Sequence, residues 1–125
     1  MTFDWKDFLV IADNYSQDDL GEAYNRTGIS RAYYAAYNIA KDYAKKEHLL
    51  KEEDISGKHL RSHERVWRGL KSSQNKQIRL AGISGDSLRA TRVDADYNNG
   101  AMVSCFRLKN ACSQAKKIIG LIENN

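Results

Sequence analysis

The stretch from residue 18 to residue 48 constrains the fold of this chain more than any other part. Apolar and aromatic side chains recur in it at the three- and four-residue spacing of one helix face. These side chains are Ile29, Tyr33, Ala36, Tyr37, Ala40, Tyr43 and Ala44. The chain contains no proline, so nothing forces this pattern to end. It predicts one long buried helix, with an irregularity allowed at Gly21 or at Thr27–Gly28, and its alanines allow neighbouring helices to approach closely.

Helical periodicity predicts further helices on both sides of this one, and no segment shows the alternation of a strand. The predicted helices cover residues 3 to 14, 58 to 73, 74 to 96 and 101 to 122. The helix at residues 74 to 96 is open to a break around Gly82–Gly85. Residues 49 to 57 read as a charged connector, which we expect to be mobile. The chain is therefore expected to fold as a single all-α domain, residues 1 to 125, in an up-down bundle of four or five helices.

The overall sequence favours a cytoplasmic protein. No apolar run approaches the length of a transmembrane helix, and the first residues lack the basic and apolar regions of a signal peptide. The two cysteines, Cys105 and Cys112, lie seven residues apart on one predicted helix, too far apart to bond to each other. We expect two buried thiols.

The charge of the chain is unevenly distributed. Residues 1 to 25 hold six acidic residues and one basic residue, whereas residues 58 to 92 hold nine basic residues and two acidic ones. Such asymmetry favours an anionic partner for the basic segment. The alternative is that the basic segment docks the acidic N-terminal segment of the same chain or of a sister subunit.

Most of the candidate RNA-binding residues form a row on the predicted third helix. Lys58, Arg61, Arg65 and Arg68 recur at helical spacing beside the apolar face, and Arg89 adds a cation on the next helix. A row of cations without interspersed acids is suited to following a phosphate backbone. The alternative is an ordinary solvated helix face.

No metal site or cofactor site is predicted. His59 and His63 are four residues apart, a spacing that can hold a metal, but no further ligand cluster accompanies them. His63 falls on the apolar face with Trp67, so we expect a hydrogen-bonded core histidine. The chain also lacks a glycine-rich phosphate loop.

The candidate catalytic residues lie between residues 89 and 97. Arg92 and Asp96 are four residues apart on a predicted helix, and Tyr97 stands at its exit. The predicted core side of that helix carries Ile78, Ile83, Leu88, Arg92 and Ala95. An arginine on this side needs an anionic partner, which Asp96 or a ligand phosphate would supply. The alternative is a purely structural ion pair above a packed tyrosine.

Three motifs resemble those of HEPN domains. Ser30-Arg31-Ala32-Tyr33-Tyr34-Ala35-Ala36-Tyr37 is similar to their second-helix signature, and Ser62-His63-Glu64-Arg65-Val66-Trp67 is similar to their third helix. Arg92-Val93-Asp94-Ala95-Asp96-Tyr97 resembles the Arg-x-x-Ala-Asp-Tyr motif of one HEPN-like branch. The order and spacing of the motifs agree over nearly the whole chain.

The resemblance implies a helical bundle that forms a homodimer and cleaves RNA without a metal. In many HEPN proteins an arginine and a histidine four to six residues later carry the reaction, and some are toxins paired with a minimal nucleotidyltransferase that can modify a nearby tyrosine. Here the arginine corresponds to Arg92, and Tyr97 occupies the histidine position. An unperturbed tyrosine, with a pKa of about 10, is a poor base. A tyrosine can still orient a substrate, or act with a pKa that nearby arginines lower, and the alternative base is Asp96.

Three functions remain open from the sequence. The first is an RNA-directed protein, a metal-independent endoribonuclease toxin of a toxin–antitoxin or phage-defence system. The second is a non-catalytic helical subunit that partners a nucleotidyltransferase or another defence enzyme. The third is a nucleotide-binding protein that stacks a base on its tyrosines.

Among the polar residues of the long helix, two are predicted to point into a cleft. They are Arg31 and Asn38.

Overall fold

The computed structural model describes residues 2 to 50 and 62 to 125. These residues form five helices and no strand, which confirms the predicted all-α bundle. The helices are α1 (Lys6–Ser16), α2 (Glu22–Lys46), α3 (Ser62–Lys71), α4 (Lys76–Tyr97) and α5 (Cys105–Glu123). The predicted boundaries of the first and last helices differ by a few residues from these, because residues 3 to 5 and 101 to 104 precede the first residue of their helices.

The long helix α2 is the centre of the bundle, as its apolar face predicts. It packs against each of the other four helices. Five of its alanines are fully buried, which brings the neighbouring backbones close to it. They are Ala32, Ala35, Ala36, Ala40 and Ala44. The small side chains on this face therefore allow one helix to pack closely against all four of the others.

The irregularity allowed in the long helix lies at its start. Gly21 precedes the first helical residue with a φ of 113°, a conformation that favours glycine. The helix then continues without interruption through Thr27 and Gly28. Gly28 is buried where α2 meets Leu108 of α5, and a Cβ there would press on the Leu108 side chain. This glycine marks a close helix contact and not a break.

The break allowed in the fourth helix is absent, because its glycines also mark a contact. Helix α4 is continuous through Gly82 and Gly85, and both residues are buried against α3. A Cβ on Gly85 would overlap the ring of Trp67, and a Cβ on Gly82 would lie 2.9 Å from the Trp67 carbonyl oxygen. The two glycines allow the fully buried Trp67 to lie against the α4 backbone.

One residue of the predicted core of α4 lies outside it. Ile78, Leu88, Arg92 and Ala95 are buried as expected, whereas Ile83 is 57% exposed. At 3.6 residues per turn, Ile83 lies about 140° around the helix from Ile78, which turns it to solvent.

The connector between α2 and α3 is only partly within the described residues. Leu49 and Leu50 pack against the core. The remainder of the connector, residues 51 to 57, lies outside the described part of the chain. So do Lys58, His59 and Arg61 at the predicted start of the third helix.

In the part of the chain that the structure describes, no helix combines the length and apolarity that a membrane span requires.

Both cysteines are free thiols. Cys112 is buried as predicted, and burial raises its pKa to about 12, whereas Cys105 is only half-buried. Cys112 therefore stays protonated and unreactive at neutral pH.

Candidate functional site

Arg92 lies inside the bundle, near the C-terminal end of α4, with only 6% of its surface exposed. Its Nη1 donates to Asp96 Oδ2 at 3.4 Å, so the ion pair predicted from the four-residue spacing is present. Its guanidinium carbon lies 5.1 Å from the ring centroid of Tyr33, 5.4 Å from that of Tyr34 and 5.8 Å from that of Tyr97. The charge is therefore held by one carboxylate and three aromatic rings.

Asp96 connects Arg92 to the central helix. Its Oδ2 also accepts a hydrogen bond from Ser30 Oγ of α2 at 3.3 Å. Its side chain is 25% exposed, and among the described residues its second carboxylate oxygen accepts no hydrogen bond. We call Ser30, Tyr33, Tyr34, Arg92, Asp96 and Tyr97 the Arg92 cluster. Asp96 is the member whose acid–base group is both oriented by the fold and open to solvent.

Tyr97 is the outermost member of the Arg92 cluster. It is the last residue of α4 and is 74% exposed, so it covers Arg92 from the solvent side. A large exposed ring beside a buried cation can stack on a ligand while its hydroxyl group stays available. The structure thus brings together the three predicted catalytic residues, Arg92, Asp96 and Tyr97.

Arg26 holds the end of α4 in place, which the sequence analysis missed. Its two terminal nitrogens donate to four carbonyl oxygens at 2.7 to 3.3 Å. These belong to Asp94, Ala95, Asn98 and Ala101. A helix end leaves carbonyl groups without intrahelical partners, and a guanidinium group is suited to satisfying several of them. Arg26 therefore fixes the backbone that carries Asp96 and Tyr97.

The first turn of α2 fixes the chain that leaves α4 as well. Glu22 Oε2 accepts from the backbone N–H of Val103 at 3.3 Å, and Asn25 Nδ2 donates to the Val103 carbonyl at 3.1 Å. The same Glu22 carboxylate pairs with Arg26 at 2.9 Å, and this pairing lowers the pKa of Glu22. Only the four-residue spacing of Glu22 and Arg26 could be read from the sequence, and it does not indicate which backbone they hold.

Below the Arg92 cluster, Tyr33 takes part in a buried hydrogen-bond network. The indole N–H of Trp67 donates to the Tyr33 hydroxyl oxygen at 3.0 Å, and that oxygen lies 2.7 Å from His63 Nδ1. The His63 ring stacks on Tyr37 at 4.2 Å between centroids. His63 is therefore a hydrogen-bonded histidine at the edge of the core, as predicted.

The surroundings of His63 keep its imidazole neutral. Burial, together with the positive charges of Arg92, Arg89 and Lys41, lowers the pKa of His63 to about 4. A neutral Nδ1 can accept a hydrogen bond from the Tyr33 hydroxyl group, whose oxygen accepts one from Trp67. Burial also raises the pKa of Tyr33, so its proton is retained.

Of the predicted RNA-binding cations, Arg65, Arg68 and Arg89 are among the described residues. Arg68 is exposed, whereas Arg65 is half-buried and its Nη1 has no hydrogen-bond partner there. Arg89 pairs with Glu64 at 3.4 Å. The structure thus places Arg89 across the α3–α4 contact. Lys58 and Arg61 lie outside the described residues.

The two polar residues predicted to face a cleft differ in their surroundings. Asn38 donates to the carbonyl of Tyr34 on its own helix at 2.8 Å. Arg31 packs against aromatic rings, at 4.7 Å from the ring centroid of Phe8 and 5.4 Å from that of Tyr34. Arg31 therefore adjoins the Arg92 cluster through Tyr34, and Asn38 is engaged within α2.

Within residues 2 to 50 and 62 to 125, no group of three or more histidine, cysteine, aspartate or glutamate side chains is placed to hold a metal ion.

Comparisons of this chain with protein-family models, with curated proteins and with solved structures found no match.

Proposed function

We propose that this protein acts on RNA, as a metal-independent endoribonuclease with the Arg92 cluster as its active site. The observation that carries the proposal is the arrangement of a buried guanidinium, an oriented and solvent-accessible carboxylate and an exposed phenol within one cluster. The resemblance of the three motifs to HEPN domains supports the same activity. It also suggests that the protein is the toxin of a toxin–antitoxin or phage-defence system.

The proposed reaction assigns a separate role to each of the three residues. Asp96 takes the proton of a ribose 2′-hydroxyl, whose oxygen attacks the adjacent phosphorus atom. The bond to the 5′-oxygen of the next nucleotide breaks, and that oxygen takes a proton from Tyr97. The products are a 2′,3′-cyclic phosphate and a 5′-hydroxyl end. The positive charge of Arg92 stabilises the charge that develops on the phosphoryl oxygens.

A second function has its own supporting observation, the near-complete burial of Arg92. At 6% exposure, with its charge balanced by Asp96, Arg92 also fits a purely structural ion pair. The protein would then be a non-catalytic helical subunit of a nucleotidyltransferase or another defence enzyme. In that case Tyr97 and Asp96 would be dispensable for any effect on RNA.

Paired tyrosine variants separate the two functions. Tyr97→Phe removes only a hydroxyl group from an exposed ring, and Tyr24→Phe does the same at an exposed tyrosine on α2. We expect purified protein to cleave RNA in EDTA, Tyr97→Phe to slow cleavage at least about tenfold, and Tyr24→Phe to cleave like the wild type. Asp96→Asn is expected to abolish cleavage. Intact RNA with the wild-type protein, or equal rates for the two phenylalanine variants, would exclude the proposed active site.

A further inference from the structure

Arg31 is an arginine of the site region whose donors are unused. Its guanidinium carbon lies 4.7 Å from the Phe8 ring centroid and 5.4 Å from the Tyr34 ring centroid. Among the described residues, Arg31 forms no hydrogen bond and no ion pair. The side chain is half-buried, so aromatic rings fix its position while part of it stays open to solvent.

An arginine in this state is suited to binding a phosphate group. Contact between a guanidinium group and an aromatic ring uses a face of the cation and leaves the N–H donors at its edge. Those donors match two oxygens of one phosphate group, and a cation that is already positioned loses little side-chain freedom on binding. Arg31 therefore has both the unused donors and the fixed position that such a site needs.

Arg31 also lies close to Arg92. Both guanidinium carbons are 5.4 Å from the same Tyr34 ring centroid, so the two cations are no more than about 11 Å apart. They differ in access, because Arg92 is 6% exposed and is paired with Asp96. Arg31 is thus the more accessible cation beside Tyr34.

We propose that Arg31 is a second phosphate-binding group next to Arg92, so that the ligand of this site is a single-stranded oligonucleotide and not a mononucleotide. This inference rests on the proposed action on RNA. One strand would place the phosphate at the reacting bond near Arg92 and a neighbouring phosphate on Arg31. A mononucleotide or inorganic phosphate can occupy only one of these positions at a time.

The test measures binding separately from cleavage. A fluorescent RNA octanucleotide with 2′-O-methyl riboses cannot be cleaved through its 2′-oxygen, so its anisotropy reports binding alone. We expect the wild-type protein to bind it at least about tenfold more tightly than a 5′-mononucleotide or inorganic phosphate, both measured as competitors. Arg31→Gln is expected to weaken binding about fivefold to tenfold and to make the slope of log affinity against log salt shallower by about 0.7, the loss of one phosphate contact.

Two further variants serve as controls. Lys117→Gln removes one positive charge at an exposed position in the C-terminal half of α5 and should leave the salt slope unchanged. Arg31→Lys keeps the charge, so it should retain the salt slope and lose only part of the affinity. Circular dichroism of each variant shows whether it is folded, and the length preference of the wild-type protein needs no variant.

The outcomes distinguish this inference from the proposed function. If the wild-type protein binds the octanucleotide but Arg31→Gln binds it with the same slope, the phosphate site at Arg31 is wrong and action on RNA stands. Equal affinity of the wild-type protein for mononucleotide and octanucleotide also overturns the inference. If the wild-type protein binds no RNA even at low salt, both proposals fail.

Discussion

At the scale of the single residue, Arg92 is the central side chain of the candidate site, a cation with almost no access to water. Three aromatic rings and one carboxylate replace its hydration. A buried cation without such partners would be strongly unfavourable. These contacts make Arg92 part of the folded core, and in the proposed reaction its charge would also stabilise the developing negative charge.

Truncation of Arg92 should therefore destabilise the protein whether or not it is catalytic. We expect Arg92→Ala to lower the free energy of unfolding by about 2 to 3 kcal/mol, since it removes the ion pair and leaves a cavity between the tyrosines. Urea unfolding followed by circular dichroism measures this. Arg68→Ala, at an exposed arginine of α3, is the control and should change stability by less than about 0.5 kcal/mol. Similar losses in the two variants would contradict the described packing.

His63 should make stability depend on pH in a defined window. Its pKa is lowered from 6.5 to about 4 in the folded protein, so the unfolded chain binds a proton more readily between these values. The contribution of neutral His63 is complete above pH 6.5 and is lost as the pH falls to about 4. Allowing for the partial exposure of His63, we expect a loss of about 1 to 2 kcal/mol.

The variant His63→Gln isolates this contribution, because glutamine does not titrate and its carbonyl oxygen can still accept a hydrogen bond from the Tyr33 hydroxyl group. Unfolding free energies of the two proteins, measured from pH 4 to pH 8, should differ by a constant amount above pH 7. Below pH 6.5 the wild-type curve should fall more steeply. Parallel curves throughout would show that His63 titrates alike in the folded and unfolded states.

The sequence revealed the Arg92 pairing but not its surroundings. Arg92 and Asp96 could be predicted as an ion pair because four residues on one helix bring side chains together whatever the rest of the fold does. The contacts with Tyr33 and Tyr34 depend on how α2 and α4 are aligned along each other. No local pattern contains that alignment, and the role of the pair in catalysis stays a prediction.

At the scale of the element, the glycines of α4 explain why a helix break was expected and is absent. Glycine has low helix propensity, so two of them within four residues suggest an interruption when the sequence is read alone. Gly82 and Gly85 instead face Trp67 and the end of α3. Tertiary packing overrides propensity here because the gain from burying a tryptophan against backbone exceeds the cost of two glycines.

A pair of glycine substitutions tests this explanation. Gly85→Ala places a methyl group where the Trp67 ring lies, so we expect it to destabilise the protein by about 3 kcal/mol. Gly120→Ala lies in α5, where the nearest atom is 4.0 Å from the added Cβ, and should stabilise it by about 0.5 kcal/mol through helix propensity. Thermal unfolding of both variants shows opposite signs if the close contact is present. A stabilised Gly85→Ala variant would refute it.

The start of α2 shows the complementary limit of sequence reasoning. The sequence pattern allows an irregularity at Gly21, where the positive φ is found, because glycine tolerates that conformation locally. It gave no role to Arg26, whose four acceptors are carbonyl groups 68 to 75 positions along the chain. Backbone acceptors leave no trace in the identity of the residues that carry them.

At the scale of the whole molecule, the acidic and basic segments stay apart. None of the ion pairs between described residues joins residues 1 to 25 to residues 62 to 92. Helix α1 packs on α2 and α5, whereas α3 packs on α4 and α2. Docking of the acidic segment within the same chain is therefore not seen among the described residues. Docking on a sister subunit and binding of an anionic partner both remain hypotheses to test.

Exposed apolar side chains near the C-terminal end of α4 are relevant to the homodimer that the resemblance to HEPN domains implies. They lie between the last turns of α4 and the first turn of α5 and are Val93, Tyr97 of the Arg92 cluster, Met102 and Phe106, the last two 83% and 70% exposed. Large apolar side chains grouped on a surface are typical of protein interfaces. A homodimer through this surface would place the two copies of the site next to each other.

A charge at this surface should separate the protomers. We expect the wild-type protein to have the mass of a dimer in light scattering and Phe106→Asp to have that of a monomer. The variant should keep the circular dichroism spectrum of the folded protein, since Phe106 contributes little to the core. Val10→Asp, at a residue of α1 that is 56% exposed, is the matched control and should stay dimeric. A monomeric wild-type protein at about 100 µM, far above a micromolar dissociation constant, would rule out a stable homodimer.

The packing of Trp67 against α4 also gives the protein an internal optical reporter. The chain has two tryptophans, and Trp5 is only half-buried whereas Trp67 is completely enclosed. An indole shielded from water emits at shorter wavelength than a hydrated one, and its emission is sensitive to a protonated imidazole nearby. In a Trp5→Phe background, the fluorescence of Trp67 would therefore follow the separation of α3 from α4 and the titration of His63 in a single measurement, without an added label.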